Sequence, residues 1–331
     1  MSAPVFGIDI GGTKTAVSLL APTRGARTRV RELHRFATGG PRETLEAAAA
    51  VIAQHVTGAP PLCGIACGGP LDAARGLVLS PPNLPGWDRV RVNDFFVRRF
   101  GRGTRAALMN DANASALAEW RFGAGRGCRS MVFLTAGTGM GGGIILNGQL
   151  VEGACGNGGE VGHLRLAPRG PVGFRKPGSF EGFCSGGGVA QLARFLPRAD
   201  RPGNLRAWMR THPSARAIAA AARKGDRTAR AVFAESGRKL GAALALLIDT
   251  LNPERIVLGS LWLRCRDLLE PTMRETLVAE SLPDSLRACR IVAARLGEQI
   301  GNYGAVCAAL HALDRSGPRR RARGDYTADS P

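Results

Sequence analysis

The chain has 331 residues, 44% of them hydrophobic and 21% charged, which sets general disorder aside and leaves room for two domains. A formal charge of +19 raises nucleic acid or a membrane surface as partners, but there are only four lysines, at 14, 176, 224 and 239, and the arginines are spread along the chain. With aromatics at 5%, no specific nucleic-acid partner is expected. No run of 18 apolar residues occurs, so no membrane partner is expected either. The opening residues lack the basic and apolar regions of an export signal, and a cytoplasmic location is expected. Eight cysteines, at 63, 67, 128, 155, 184, 265, 289 and 307, are scattered with no Cys-x-x-Cys pair, and most are expected to be reduced and buried.

In chain order, Val5–Ile10 reads as a strand, Gly11-Gly12 as a turn and Thr15–Leu20 as the returning strand. Residues 28–37 form a third strand, and Glu43 to His55 an amphipathic helix. A strand from Cys63 to Ala66 runs into Cys67-Gly68-Gly69-Pro70. A short strand at 77–79, the loop Ser80–Trp87 and a helix near 93–100 follow. The strand Arg105–Met109 ends at Asn110-Asp111, and the helix Ala112 to Phe122 crosses to a second unit. There the pattern restarts: a strand over 130–135, a glycine turn, the strand Ile144–Leu146, and a hairpin turn at Asn147-Gly148. The echo predicts two related folds facing each other. Helices near 186–195, 214–224, 226–251 and 265–280, strands at 255–259 and 289–294, and a last helix near 300–314 complete the chain. Residues 1–115 with 298–315 are expected to form one lobe and 116–297 the other. Residues 316–331, with the cluster Arg319-Arg320-Arg321-Ala322-Arg323, read as a disordered basic tail.

Two segments point to phosphate. Asp9-Ile10-Gly11-Gly12-Thr13-Lys14 sets a carboxylate before two glycines whose amides can approach phosphate oxygens. Asp9 can hold Mg²⁺ directly or through water. The alternative is an ordinary Gly-Gly hairpin. Gly137-Thr138-Gly139-Met140-Gly141-Gly142-Gly143 contains G-x-G-x-x-G, but a dinucleotide site needs a helix next, and a strand follows. Two glycine turns, one per lobe, with Asn110-Asp111 between them, suggest a cleft for a nucleoside triphosphate. Asp111 can serve as a base or simply cap the helix it precedes.

Taken together and in order, these segments resemble the ROK family (repressors, open reading frames, kinases) over about residues 5–312. The resemblance implies an α/β, two-lobed actin-like ATPase (ribonuclease H-like) fold with an interlobe cleft. Asp9 to Lys14 is similar to the first phosphate motif and Gly137 to Gly143 to the second. Cys67–Asp72 with Asn83–Trp87 resembles the connecting and sugar loop. Asn110-Asp111-Ala112-Asn113 resembles the catalytic motif, Gly156–His163 the sugar-binding segment, and Val257-Leu258-Gly259-Ser260 the adenosine region. The resemblance implies ATP and Mg²⁺ as cofactors, a hexose as substrate, and a homodimer or homotetramer. It implies that Asp111 is the base. Asn83, Asn110, Glu160, His163 and Glu181 are implied to read sugar hydroxyls. Gly11, Gly12, Thr13, Lys14, Gly137, Thr138 and Gly139 line the phosphates, and Gly259 the nucleoside.

One departure stands out. Where the family carries a cysteine zinc loop, this chain has Val172, Phe174 and Ser179, while Glu181 and Ser185-Gly186 remain. Valine and phenylalanine cannot ligate zinc, so no structural zinc is expected. The loop is expected to be held by packing of Val172, Phe174, Phe180 and Phe183. The family's repressors carry a DNA-binding domain ahead of the body; with the first motif starting at Asp9 no such domain, and no repression by direct DNA binding, is expected. A catalytically silent sugar sensor is the alternative to a kinase.

Overall fold

The computed structural model describes residues 3–22, 28–56 and 58–316. Alternation in Val5–Ile10 (β1) sends Phe6, Ile8 and Ile10 to one face, all essentially buried. β1 pairs antiparallel with β2 (Lys14–Pro22), and β2 pairs with β3 (Thr28–Ala37). Helix α1 (Pro41–Ala53) starts on Pro41 at its first turn and buries Leu45, Ala48, Ala49 and Ile52. Strand β4 (Leu62–Cys67) lies parallel to β1. A small sheet of β5 (Leu71–Asp72), β6 (Leu77–Val78) and β7 (Val90–Arg91) follows, then α2 (Val92–Phe100) and β8 (Arg105–Asn110). The first large sheet has the order β3-β2-β1-β4-β8.

Helix α3 (Asp111–Phe122) leads to the second large sheet. This begins with the hairpin β9 (Met131–Ala136) and β10 (Met140–Leu146), and β11 (Gln149–Leu150) is its edge. A hairpin of β12 (Val172–Gly173) and β13 (Lys176–Pro177) precedes helices α4 (Phe180–Cys184), α5 (Gly186–Leu192), α6 (Leu205–Thr211), α7 (Ala215–Arg223) and α8 (Arg227–Leu251). Then come β14 (Arg255–Leu258), α9 (Leu261–Glu280), α10 (Pro283–Ala288), β15 (Arg290–Ala293) and α11 (Ile300–Ser316). The order β11-β10-β9-β14-β15 repeats that of the first sheet: an antiparallel hairpin side and a parallel side, in the same succession. The two related folds expected from the sequence are present.

The layers explain where a site can lie. The outer face of the first sheet packs on α1 and α2 through Phe6, Ile8, Leu45, Ile52 and Phe96. The outer face of the second packs on α7, α8 and α9 through Val132, Leu134, Ile218, Leu244 and Met273. Between the sheets lie α3 and α11, in one apolar cluster that takes Ala66 and Met109 from the first sheet and Met131, Phe133 and Val257 from the second. Helix α11 comes close because β1 and β4 carry glycine there. A Cβ on Gly7 would stand 2.6 Å from the Val306 amide nitrogen, and one on Gly64 would run into the Ala305 carbonyl.

Glu119, buried in the second half of α3, fastens this middle layer. Its carboxylate accepts the amides of Ala124 at 2.6 Å and of Arg295 and Leu296 at 2.9 Å each. It thus joins the exit of α3 to the segment that leads into α11.

Some expectations need correction. The helix expected at 265–280 starts at Leu261, and Cys265 (φ −129°, ψ 22°) interrupts it, which is where the apolar pattern restarts. Helices α4, α6 and α10, of five to seven residues, are too short to show a helical period. Seven of the eight cysteines are buried and Cys155 is exposed. Ser316 closes α11, so the basic cluster at 319–323 lies outside the described residues. Among the described residues, no helix is long and apolar enough to cross a membrane.

Candidate active site

Asp9 ends β1, with its carboxylate pressed against Gly301 in the first turn of α11. Burial, then the charge of Asp111, raises its carboxyl from 3.8 to about 6, against the opposing pull of Arg35. The next turn is pinned: Gly11 N donates to Lys14 O at 3.0 Å, and Thr38 Oγ1 donates to Gly11 O at 2.7 Å. Thr13 and Lys14 are exposed. Gly12 must be glycine, because a Cβ there would stand 2.6 Å from the Asn83 carbonyl oxygen. The loop that presents Asn83 is held by Ser80 N donating to Trp87 O at 3.0 Å and by buried Trp87, whose Nε1 donates to Gly39 O at 3.1 Å.

Asn110 and Asp111 divide the junction between β8 and α3. Asn110 Oδ1 caps the helix, accepting Ala112 N at 2.9 Å and Asn113 N at 3.2 Å, which leaves its amide nitrogen beside Gly69. The capping alternative for Asp111 is thereby largely taken up by its neighbour. Asp111 Oδ1 accepts Ala112 N at 2.9 Å, while Oδ2 turns toward Gly68, 3.7 Å from where a Cβ on that residue would be. Asp111 keeps a solvent-accessible surface, yet enough protein surrounds it that burial raises its carboxyl, against its own amide and that of Ala112.

On the facing side, Gly137-Thr138-Gly139 forms an exposed turn between β9 and β10. It is buttressed from behind: Gly186 N donates to Gly137 O at 2.8 Å and Gly187 N to Thr138 O at 3.1 Å, from the first turn of α5. The rest of the glycine run lies in β10. A Cβ on Gly141 would come 2.8 Å from Ala112 Cβ, and one on Gly143 2.5 Å from Ala116 Cβ, so these glycines admit α3 rather than a ligand. The exposed turn is therefore Gly137-Thr138-Gly139, the three residues expected to line phosphates, and it leads into a strand as expected.

Glu181, in the first turn of α4, accepts Met140 N at 2.9 Å on Oε2. Glu160 and His163 bracket a 3₁₀ turn, Val161–His163, and both are exposed. The Glu160 carboxyl is raised by burial and by the charges of Asp111 and Glu181, and lowered by His163, so these four groups share one neighbourhood. Gly259 is buried at the end of β14, where its N donates to Leu134 O at 2.8 Å; next to it Ser260 Oγ meets Thr135 Oγ1 at 2.7 Å.

The packing roles of several glycines, some of them inside the motifs, are not legible in the sequence. Gly68 leaves room between Asp111 and Asn83. Gly186 and Gly187 back the second turn, and Gly301 makes room for Asp9. The one available signal was Ser185 before a glycine run, a helix cap that accepts Gly188 N at 3.0 Å. Both middle helices also begin here, α3 at Asp111 and α11 beside Asp9, and helix N-termini favour anionic groups.

The loop compared with zinc sites also differs from expectation. Phe180 and Phe183 are buried, but Val172 is 45% and Phe174 61% exposed, so those two do not hold it by packing. Val172 lies in β12 and Phe174 at the tip of the hairpin, whose base packs on α4 at buried Gly173. Ser179 Oγ is engaged in capping α4 through Gly182 N at 3.1 Å. The donor set there does not fit zinc.

Two sheets of one topology, sandwiching a shared pair of helices and meeting at carboxylates between glycine turns, make the actin-like ATPase fold. The chain belongs to the ROK family, whose model matches residues 5–312. It is 32% identical over 310 residues to a glucokinase of Thermotoga maritima, spanning 91% of this chain and 95% of the relative. The crystal structure of a ROK hexokinase from Thermus thermophilus superposes with a TM-score of 0.75 at 29% identity, covering 94% of this chain and 99% of that one. A ROK family glucokinase from Streptomyces griseus in complex with glucose and AMPPNP gives a TM-score of 0.67 at 29% identity, covering 95% and 100%.

Proposed function

We propose that the protein is an ATP-dependent sugar kinase that phosphorylates a hexose hydroxyl, with glucose the first sugar to test and N-acetylhexosamines next. The observation that carries the reading is the convergence of Asp111, its carboxyl raised by burial, with Asp9 and two glycine turns. Similarity to a glucokinase, and to one whose structure holds glucose and AMPPNP, supports it.

In this reading residues 1–115 with 298–315 form one lobe and 116–297 the other, and closure of the two excludes water. Gly11, Gly12, Thr13 and Lys14 hold the phosphates from one side and Gly137, Thr138 and Gly139 from the other, with Gly259 toward the nucleoside. Mg²⁺ carried in with ATP would supply neutralisation of phosphate charge, and Asp9 is the residue that would hold it. Asp9, an oxygen donor paired with a second raised carboxylate, fits a hard cation directly or through water. Asn83, the Asn110 amide, Glu160, His163 and Glu181 orient the sugar, because vicinal hydroxyls offer matched donors and acceptors. Asp111 accepts the hydroxyl proton as that oxygen bonds to the γ-phosphorus and the bond to the ADP oxygen breaks. ADP and a sugar phosphate leave, and the proton passes to solvent.

The reading sets the protein in the cytoplasm, where ATP is supplied, as a homodimer or homotetramer. Exposed Leu246, Val278 and Leu282 near the ends of α8 and α9 support assembly, and sedimentation tests it. The activity is tested by coupled ADP release over a sugar panel. Sugar-dependent turnover is expected, and its absence with every hexose contradicts the reading.

A further inference from the structure

The hairpin between His163 and Glu181 carries an anomaly that the proposed chemistry does not use. Gly173 pairs with Lys176, so the turn consists of Phe174 and Arg175 alone, at φ 36° and 65°. A two-residue turn with both residues at positive φ favours Asn-Gly, and a bulky side chain is disfavoured there. The chain nevertheless sets a phenylalanine at the tip, and it is 61% exposed and belongs to none of the core clusters. Neither backbone preference nor core packing accounts for it.

The ring is nevertheless held near the site. It meets the His163 imidazole edge-on, with centroids 5.3 Å apart and planes at 72°. The hairpin is fixed relative to that histidine by Lys176 Nζ donating to His163 O at 2.5 Å and Arg165 Nη1 to Pro177 O at 2.9 Å. At its base the Gln191 amide exchanges two 3.1 Å hydrogen bonds with the Val172 backbone. An exposed aromatic ring is thus carried by a pinned hairpin and aimed beside a group proposed to bind hydroxyls.

We infer that Phe174 is a specificity-determining residue of the sugar subsite, its ring covering an apolar C–H face of the bound hexose while His163 takes a hydroxyl. This rests on the sugar-kinase reading. Sugars present C–H patches as well as hydroxyls, and burying an aromatic face against one adds affinity without touching the phosphate chemistry. The ring therefore acts on sugar binding and selection, not on ATP.

The test is steady-state kinetics of wild type, Phe174→Ala and Phe174→Tyr with every hexose the wild type phosphorylates. Phe174→Ala is expected to raise the sugar KM about tenfold, leaving kcat and the KM for ATP within about twofold. Phe174→Tyr keeps the ring and is expected to stay within about twofold of wild type. The melting temperature of Phe174→Ala should be unchanged or higher, since the turn loses a disfavoured side chain. A sugar KM in Phe174→Ala indistinguishable from wild type, in a protein that shows sugar-dependent ADP release, overturns the inference alone. Absence of that release in the wild type overturns the kinase reading and this inference with it.

Discussion

Met140, which ends the second glycine turn, donates its backbone amide to Glu181 Oε2 over 2.9 Å. The turn proposed to hold phosphates and a proposed sugar-binding carboxylate are therefore one mechanical unit. Glu181→Gln keeps an oxygen acceptor for Met140, so it is expected to raise the sugar KM by roughly tenfold or more with little change for ATP. Glu181→Ala releases the turn as well, and the KM for ATP should then rise too. Paired titrations of sugar and ATP in both variants check this.

Asp9 gives a prediction with a definite sign. Its carboxyl lies at about 6 in the folded chain against an ordinary 3.8. Between those values the folded state binds the extra proton, so in metal-free protein this group's contribution makes stability fall as pH rises from about 4 to 6. Above pH 6 the full cost stands, about 3 kcal/mol at most. Asp9→Asn should therefore be more stable than wild type at pH 7.5 in EDTA, by roughly 1–3 kcal/mol. It should also lose most turnover. Thermal melts across pH 4–8, with and without EDTA, read out both the sign and the window.

Glu119→Ala orphans three amides at once, the buried one of Ala124 and the part-buried ones of Arg295 and Leu296. A loss of about 3 kcal/mol or more is expected in chemical unfolding. Glu119→Gln, which retains one oxygen acceptor, should lose less.

The fold was legible wherever a pattern is local. Asp9 to Thr15 and Asn147-Gly148 announce hairpins through glycine and asparagine, and the repeated strand–turn–strand announces two related folds, whose common strand order only the structure gives. The reason for Gly141 and Gly143 is not legible in the sequence, because it lies in α3 packing from afar, through Ala112 and Ala116, and sequence gives no sign of which neighbour a glycine admits. The same holds for Gly7, Gly64 and Gly301. Among the candidate site residues, Asn110 and Asp111 stand together in the sequence, but only the geometry divides them into a cap and a carboxylate that keeps Oδ2 turned toward Gly68. Glu119 is not legible: nothing in a helical stretch shows that a segment some 176 residues on donates to its side chain.

Gly12→Ala tests the join between the Gly11-Gly12 turn, proposed to hold phosphates, and the loop that presents Asn83, proposed to touch the sugar. With a Cβ 2.6 Å from Asn83 O, either the turn or the loop must shift. Both the ATP and the sugar KM should rise, by roughly tenfold each, because the two binding segments touch at this point. An effect confined to one substrate contradicts the coupling.

The most direct measurement is coupled ADP release by Asp111→Asn over the sugar panel, alongside thermal shifts with sugar and an ATP analogue. If Asp111 takes the hydroxyl proton, the variant keeps both ligand-induced shifts and loses about 100-fold or more in turnover on every sugar. Turnover near the wild-type rate on any of those sugars contradicts the assignment.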